Sequence, residues 1–294
     1  LGAACWGNAI VWLDSARTIG TPFDGGECGI LTLSDQNREN YSCQFSTLTF
    51  GRGKVETAPE GKPMSTLIIA AAIFLAIHLL ISGTRVRDGI TAAIGQGPYL
   101  GLFSLASLAI LVWLVIAYNH AQRGSDPLLY DLGESVRHLG IPVVALAFLV
   151  GVQGLFLRSP TSVGMGGAAA DISGIQGVLR ITRHPFLWGV AIWSGFHLLA
   201  NGDEASVIFF GTFFVLSLLG PVSIDAKRRR KLGSAWEAFA NATSNVPFAA
   251  AIGGRNRLRF GELFGWRFLV ALVLFLIVLF FHHRLFGVSP FPGG

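Results

Sequence analysis

Six mostly apolar runs, Ser65 to Ser82, Tyr99 to Tyr118, Leu139 to Leu157, Phe186 to Ala200, Ala205 to Val222 and Arg267 to Phe281, limit what this chain can fold into. A helix needs about 20 such residues to cross a bilayer core, and within lipid only helices and closed barrels satisfy their own backbone. The runs are too continuous for amphipathic soluble helices, and the alternation of polar and apolar residues that marks a membrane barrel is absent. Composition agrees, with 52% hydrophobic residues, 13% charged residues and a mean hydropathy of +0.56, far from soluble-domain values. The expected fold is an all-α, polytopic membrane bundle of about six transmembrane helices. The fourth run is short, and only Asn201, Gly202, Asp203 and Glu204 separate it from the fifth, so these two are expected to form a tight helical hairpin.

Residues 1–63 stand outside this pattern. They hold all three cysteines, Cys5, Cys28 and Cys43, seven acids against five bases, and turn-rich text from Thr21 to Gly26. The first methionine, Met64, directly precedes the first apolar run. The chain is therefore read as two segments, 1–63 and 64–294, the first being either a soluble extension or sequence upstream of a start at Met64. The apolar stretch Leu1 to Leu13 is too short to span and lacks the basic residues of a signal peptide. An odd cysteine count without paired spacing supports no disulfide framework. No cysteine follows Met64, so a metal held there needs histidine, carboxylate or backbone oxygen, and cysteine zinc or iron–sulfur ligation is excluded.

Charge gives the orientation. After Met64, seventeen Lys and Arg face ten acids, and the bases crowd into alternate loops: Arg85 and Arg87, then Arg158, Arg180 and Arg183, then Lys227 to Lys231 with Arg255, Arg257 and Arg259. The positive-inside rule places these three loops in the cytoplasm. The run Lys227 to Lys231 reads as a topology determinant against anionic headgroups, which makes membrane lipids its partner rather than nucleic acid.

Two histidines lie inside apolar runs, His78 in the first and His197 in the fourth. An imidazole in a bilayer core is costly without a partner. Two of them on different helices can hold a haem or another metal between them. The structural alternative is a hydrogen bond across helices to a carbonyl, Ser or Thr, worth on the order of 1 kcal/mol. His282 and His283 close the last run and read as interfacial anchors, while His120 and His138 receive no role.

Two cytoplasmic strings carry further information. In Arg180-Ile-Thr-Arg-His-Pro185, the proline marks the first turn of a helix, placing Arg183 and His184 beside unpaired backbone N–H groups that favour anionic ligand groups; the alternative is a headgroup anchor and a capping residue. In Leu232-Gly-Ser-Ala-Trp-Glu-Ala-Phe239, Trp236 and Phe239 lie one turn apart, which suits a short helix at the membrane interface covering a ligand site.

Together, the span carrying His78, the string Arg180 to Pro185, the Trp-Glu-Ala-Phe segment and Ser244-Asn-Val-Pro-Phe-Ala249 resemble the NnrU family of integral membrane proteins, named from denitrification gene clusters and related to the zeta-carotene isomerases. The resemblance covers Met64 to Leu258 closely and the last span more loosely. It implies a multi-pass protein of a cell inner (plasma) membrane and an accessory role in nitrite and nitric-oxide metabolism, with nitrite or nitric-oxide reductase components as partners. For the isomerase branch it implies haem b between membrane histidines and the conversion of a cis double bond in a carotenoid without net oxidation. The corresponding iron ligands are His78 and His197, and Ser194, one turn before His197, stands where plant members have a cysteine. Helix geometry opposes a simple pairing: at 1.5 Å per residue, His78 lies about 6 Å from the cytoplasmic boundary and His197 roughly 17 Å in, which leaves His184 as a substitute partner for His78. A further alternative is an S-adenosylmethionine-dependent methyltransferase of the isoprenylcysteine or phospholipid type, in which Arg183 and His184 contact the cofactor carboxylate.

Overall fold

The structure, a computed structural model, describes residues 62–161 and 172–291 together with four strand segments near the start of the chain. The chain divides into two compact units, Leu1–Ala58 and Pro59–Gly294. In the first unit, Cys5–Trp6 pairs antiparallel with Ala9–Ile10, and Gly29–Leu33 pairs antiparallel with Cys43–Thr47. The side chains of Cys5, Cys28 and Cys43 lie outside the described residues.

The regular elements among the described residues of the second unit are all helices, as the apolar runs require. Helix α1 (Lys62–Ala76) continues as a π-helical turn, Ile77–Ile81, and is followed by the short α2 (Arg85–Ile94) and the long α3 (Gln96–Gln122). After α4 (Glu134–His138) come α5 (Gly140–Leu155), α6 (Pro185–Ala200) and α7 (Glu204–Leu232). The chain ends through α8 (Ser234–Ala242), α9 (Ala249–Ile252) and α10 (Trp266–Phe286). Four helices, Pro63–Ile81, Gln96–Gln122, Glu204–Leu232 and Trp266–Phe286, are long and apolar enough to cross a membrane, and α5 and α6 are shorter apolar helices of 16 residues each. The third run is thus shorter than its sequence implies. Its helix opens at Gly140, and Phe156 leaves helical geometry at the other end.

The α6–α7 hairpin is as tight as its four-residue connection demands. Asn201 caps α6 by donating from Nδ2 to His197 O at 2.9 Å, and Asp203 caps α7 by accepting from Ser206 N at 2.8 Å. Asp126, from the loop after α3, accepts from Ala205 N at 3.0 Å, so two carboxylates serve the orphan amides of one helix start. Gly202 is required here, because a Cβ would lie 1.7 Å from Tyr130 O.

Small residues let helices approach closely. At Gly189 a Cβ would meet Gly151 Cα at 2.5 Å, and at Gly154 it would meet the Pro185 ring at 2.5 Å, the close backbone packing that membrane helices use in place of a hydrophobic drive. These glycines serve internal packing between α5 and α6. A first core joins α1, α3 and α7 through Leu67, Ala70, Phe74, Leu114, Ala117 and Phe209. A second, on the basic side, joins Leu157, Ile175, Val178 and Leu179 to Trp236 and Phe239. Trp236 and Phe239 were expected at the membrane interface, but they are almost wholly buried in protein, because α8 turns its apolar face onto the segment before α6.

Candidate functional site

The two strings that stand out in the sequence lie against each other. Arg183 N donates to Ser244 O and Phe248 N donates to Ile181 O, each at 2.8 Å. Thr182 Oγ1 donates to Asn245 O at 2.6 Å, and Trp188 Nε1 donates to the same oxygen at 2.8 Å. The chain reverses at Phe248, the one described non-glycine residue with a positive φ, at 66°, a conformation unusual for a bulky side chain.

Behind this seam, α7 runs past the end of its apolar run and brings Asp225 to the mouth of α6. Asp225 Oδ2 accepts from Arg183 Nε at 2.9 Å and also from Nη2, while Oδ1 meets His184 Nε2 at 2.7 Å. The Arg183 guanidinium lies over the Trp236 ring, 5.7 Å from its centroid. His184 is 2% exposed. Burial lowers its pKa below the usual 6.5 against the pull of Asp225, so it is neutral near pH 7, donates from Nε2 and leaves Nδ1 without a partner among the described residues. Arg183 and His184 are therefore turned inward, onto a carboxylate. A second carboxylate fastens the same segment, since Glu262 accepts from Arg180 Nε at 2.7 Å, from Nη2 at 3.1 Å and from Gly177 N at 2.9 Å.

The membrane histidines differ. His78 Nδ1 bonds Phe74 O and His197 Nδ1 bonds Trp193 O, each at 2.8 Å and each four residues back in its own helix. A bond between Nδ1–H and a carbonyl selects the tautomer with a lone pair on Nε2, the form a metal ligand takes. No hydrogen bond to either Nε2 occurs among the described residues. The interhelical bond considered from the sequence is replaced by one within the helix. Aromatic rings surround both: Phe74 and Phe103 lie 4.4 and 5.5 Å from His78, and Phe210 stacks on His197 at 4.7 Å. His78 also sits in the π-helical turn Ile77–Ile81, a distortion frequent at functional sites.

The two imidazoles stand at different heights along α7. Phe74 packs on Phe213 at 5.6 Å, and a Cβ at Gly83 would fall 1.5 Å from Ser223 Oγ, which sets His78 opposite Ser217. His197 lies opposite Phe210. At 1.5 Å per residue, the offset is about 11 Å. Nitrogens on opposite faces of one metal stand about 4 Å apart, twice an ordinary metal–imidazole distance. Each histidine alone has a ligand's form, but the pair does not fit one haem iron in this arrangement. His184 is no substitute, being occupied by Asp225. No cluster of three or more His, Cys, Asp or Glu able to hold a metal occurs among the described residues.

One family model, "NnrU protein", matches the chain over residues 66–290, which include the half-buried histidines of the spans and the seam between residues 180–185 and 244–249. The chain belongs to the NnrU family. Within reach of this NnrU chain are two plant proteins named 15-cis-zeta-carotene isomerase, chloroplastic. The maize protein is 25% identical over 264 residues, covering 88% of this chain and 62% of its own length. The Arabidopsis thaliana protein is 27% identical over 218 residues, covering 71% of this chain and 57% of its own. This chain thus spans about three fifths of the length of the curated relatives it matches. No solved structure matches it.

The sequence reading missed Asp225 as the partner of Arg183 and His184. The available signal was the absence of a helix breaker between Val222 and Gly233, which allowed the fifth helix to continue beyond the membrane.

Proposed function

We propose that this NnrU protein is an integral-membrane cis–trans isomerase acting on a long polyene of the carotenoid class. The observation that carries the proposal is the similarity of most of the chain to two plant 15-cis-zeta-carotene isomerases. The physical requirements agree with it. A hydrocarbon polyene partitions into the bilayer, where α3 and α10 expose apolar side chains such as Leu105, Leu108, Leu269 and Phe280. Rotation about a double bond shifts no proton, so it does not by itself require an acid–base pair. Haem b belongs to the proposal as a cofactor ligated by one of the two membrane imidazoles, His78 or His197, since each offers Nε2 and the two stand at different heights.

The test is expression of the full chain in cells that accumulate 15-cis-zeta-carotene, with separation of the isomers by chromatography and an absorption spectrum of the purified protein beside His78→Ala and His197→Ala. The expected result is loss of the 15-cis isomer and a Soret band abolished by one substitution. Unchanged isomer composition with a well-folded protein overturns the isomerase, and a colourless active protein removes haem from it.

Family membership favours a second reading, an accessory protein of a bacterial inner membrane that supports nitrite or nitric-oxide reductase components. A deletion strain impaired in denitrification with unchanged carotenoids would favour it. The methyltransferase alternative has less support, because Arg183 and His184 are engaged by Asp225.

A further inference from the structure

The segment that joins α8 to α10 is fastened from behind by polar groups and carries its large apolar side chains on the outside. Behind it, Ala250 N donates to Ser244 Oγ at 2.9 Å and Asn256 Nδ2 to Ala242 O at 2.9 Å. Arg255 Nη1 donates to Asn241 O at 2.9 Å and to Thr243 O at 3.1 Å. On the outside stand Val246, Phe248, Ile252 and Phe260, with Ile252 85% and Phe260 67% exposed.

Single exposed apolar side chains are ordinary, but a cluster of them marks a surface that meets something other than water. These side chains are clustered. Ile252 N donates to Phe248 O at 2.9 Å, which places the two residues one helical turn apart on the same side. Phe248 and Phe260 line one small cavity together with Leu263. The backbone at Phe248, with its φ of 66°, is costly for a bulky residue. A strained backbone that presents an apolar ring outward gains nothing from water.

Position and charge identify what covers this surface. Phe260 stands six residues before Trp266, where α10 begins, and the exposed Phe264 and Trp266 continue the apolar surface into that helix. Since α10 is long and apolar enough to cross a membrane, the cluster lies at the level where the bilayer starts. Its charge is one-sided. Arg255, Arg257 and Arg259 face a single acid between residues 246 and 266, Glu262, and that carboxylate already accepts from Arg180. Exposed apolar side chains interspersed with arginines at the entry of a span are the composition of an element lying in an anionic membrane surface. We infer that residues 246–266 form a collar whose Phe248, Ile252 and Phe260 insert at the headgroup–acyl boundary of an anionic leaflet, with Arg257 and Arg259 at the phosphates.

The inference is tested on the full chain carrying Cys5→Ser, Cys28→Ser and Cys43→Ser, with a nitroxide attached at Ile252→Cys, Phe260→Cys or Lys231→Cys. All three positions are exposed, so the substitutions leave the packing intact. The protein is reconstituted into phosphatidylcholine vesicles with or without phosphatidylglycerol. Electron paramagnetic resonance then compares access of oxygen, which enters lipid, with access of a water-soluble nickel chelate. The labels at 252 and 260 are expected about 5 to 10 Å into the boundary, and the label at 231, on the extension of α7 past its apolar run, in water. Depth is expected to increase with phosphatidylglycerol, and Arg257→Gln/Arg259→Gln to remove that increase. Labels at 252 and 260 as open to nickel as the one at 231 would overturn insertion. Labels shielded from both reagents would mean a protein cover and overturn lipid as the occupant. Equal depth in both kinds of vesicle would overturn the part given to the arginines.

Discussion

Five polar groups of the bilayer region and the charged groups of the basic side are satisfied in opposite ways. Within the spans, His78, His197, Ser194, Thr212 and Ser217 each bond a carbonyl four residues back in their own helix, so none of these bonds ties one helix to another. On the basic side, Arg183, His184, Asp225, Arg180 and Glu262 bond between segments far apart in the chain. The carboxylates and guanidiniums of the second kind are engaged in holding the fold. Among the described residues, the two histidines of the first kind each keep Nε2 unbonded and remain candidates for chemistry, whereas Arg183 is held by Asp225 and His184 keeps only its buried Nδ1.

The contrast can be broken by substitution. Asp225→Ala should have the largest effect, about 3 to 5 kcal/mol of stability, because it strands a buried guanidinium; unfolding in detergent, followed by circular dichroism, measures it. Gly189→Val should follow at about 1 to 3 kcal/mol, since its side chain has no room against Gly151 and Ala147, and should be read in the same assay. A pH series sharpens the contrast further. With the folded pKa of His184 held below 6.5 by burial, its contribution is complete above that pH. It is lost as pH falls, because the unfolded chain then takes up the proton more readily. Melting temperature should therefore drop between pH 7 and pH 5, and less so in His184→Gln. The smallest loss of stability is expected for His78→Ala and His197→Ala, about 1 kcal/mol or less from an intrahelical bond. A large loss from either would place that histidine with the structural groups.

Continuous apolar text made the bundle, its helix count and the α6–α7 hairpin readable from the sequence, because the bilayer admits so few alternatives. Helix ends at the membrane boundary were harder, since hydropathy marks the edge of lipid and not the end of a helix. α7 passes Val222 and continues to Leu232, and Asp225, sitting in that extension, looked like a lone acid before a basic run. Trp236 and Phe239 were legible as an apolar pair but not as protein core, for the spacing is the same whether a helix faces lipid or another segment. The height difference between His78 and His197 was already calculable from helix rise, and packing on α7 reproduces it.

The π-helical turn at Ile77–Ile81 makes the first span tolerant of a change in length at one place. A wide turn holds about one residue more than an α-helical turn would, so a single deletion there can be absorbed by tightening to α-geometry. The segments on either side would then keep their facing, whereas the same deletion in an α-helical stretch would rotate one against the other by about 100°. His78 lies inside that segment, so a one-residue deletion on either side of it would re-aim the imidazole around the helix without unwinding the span.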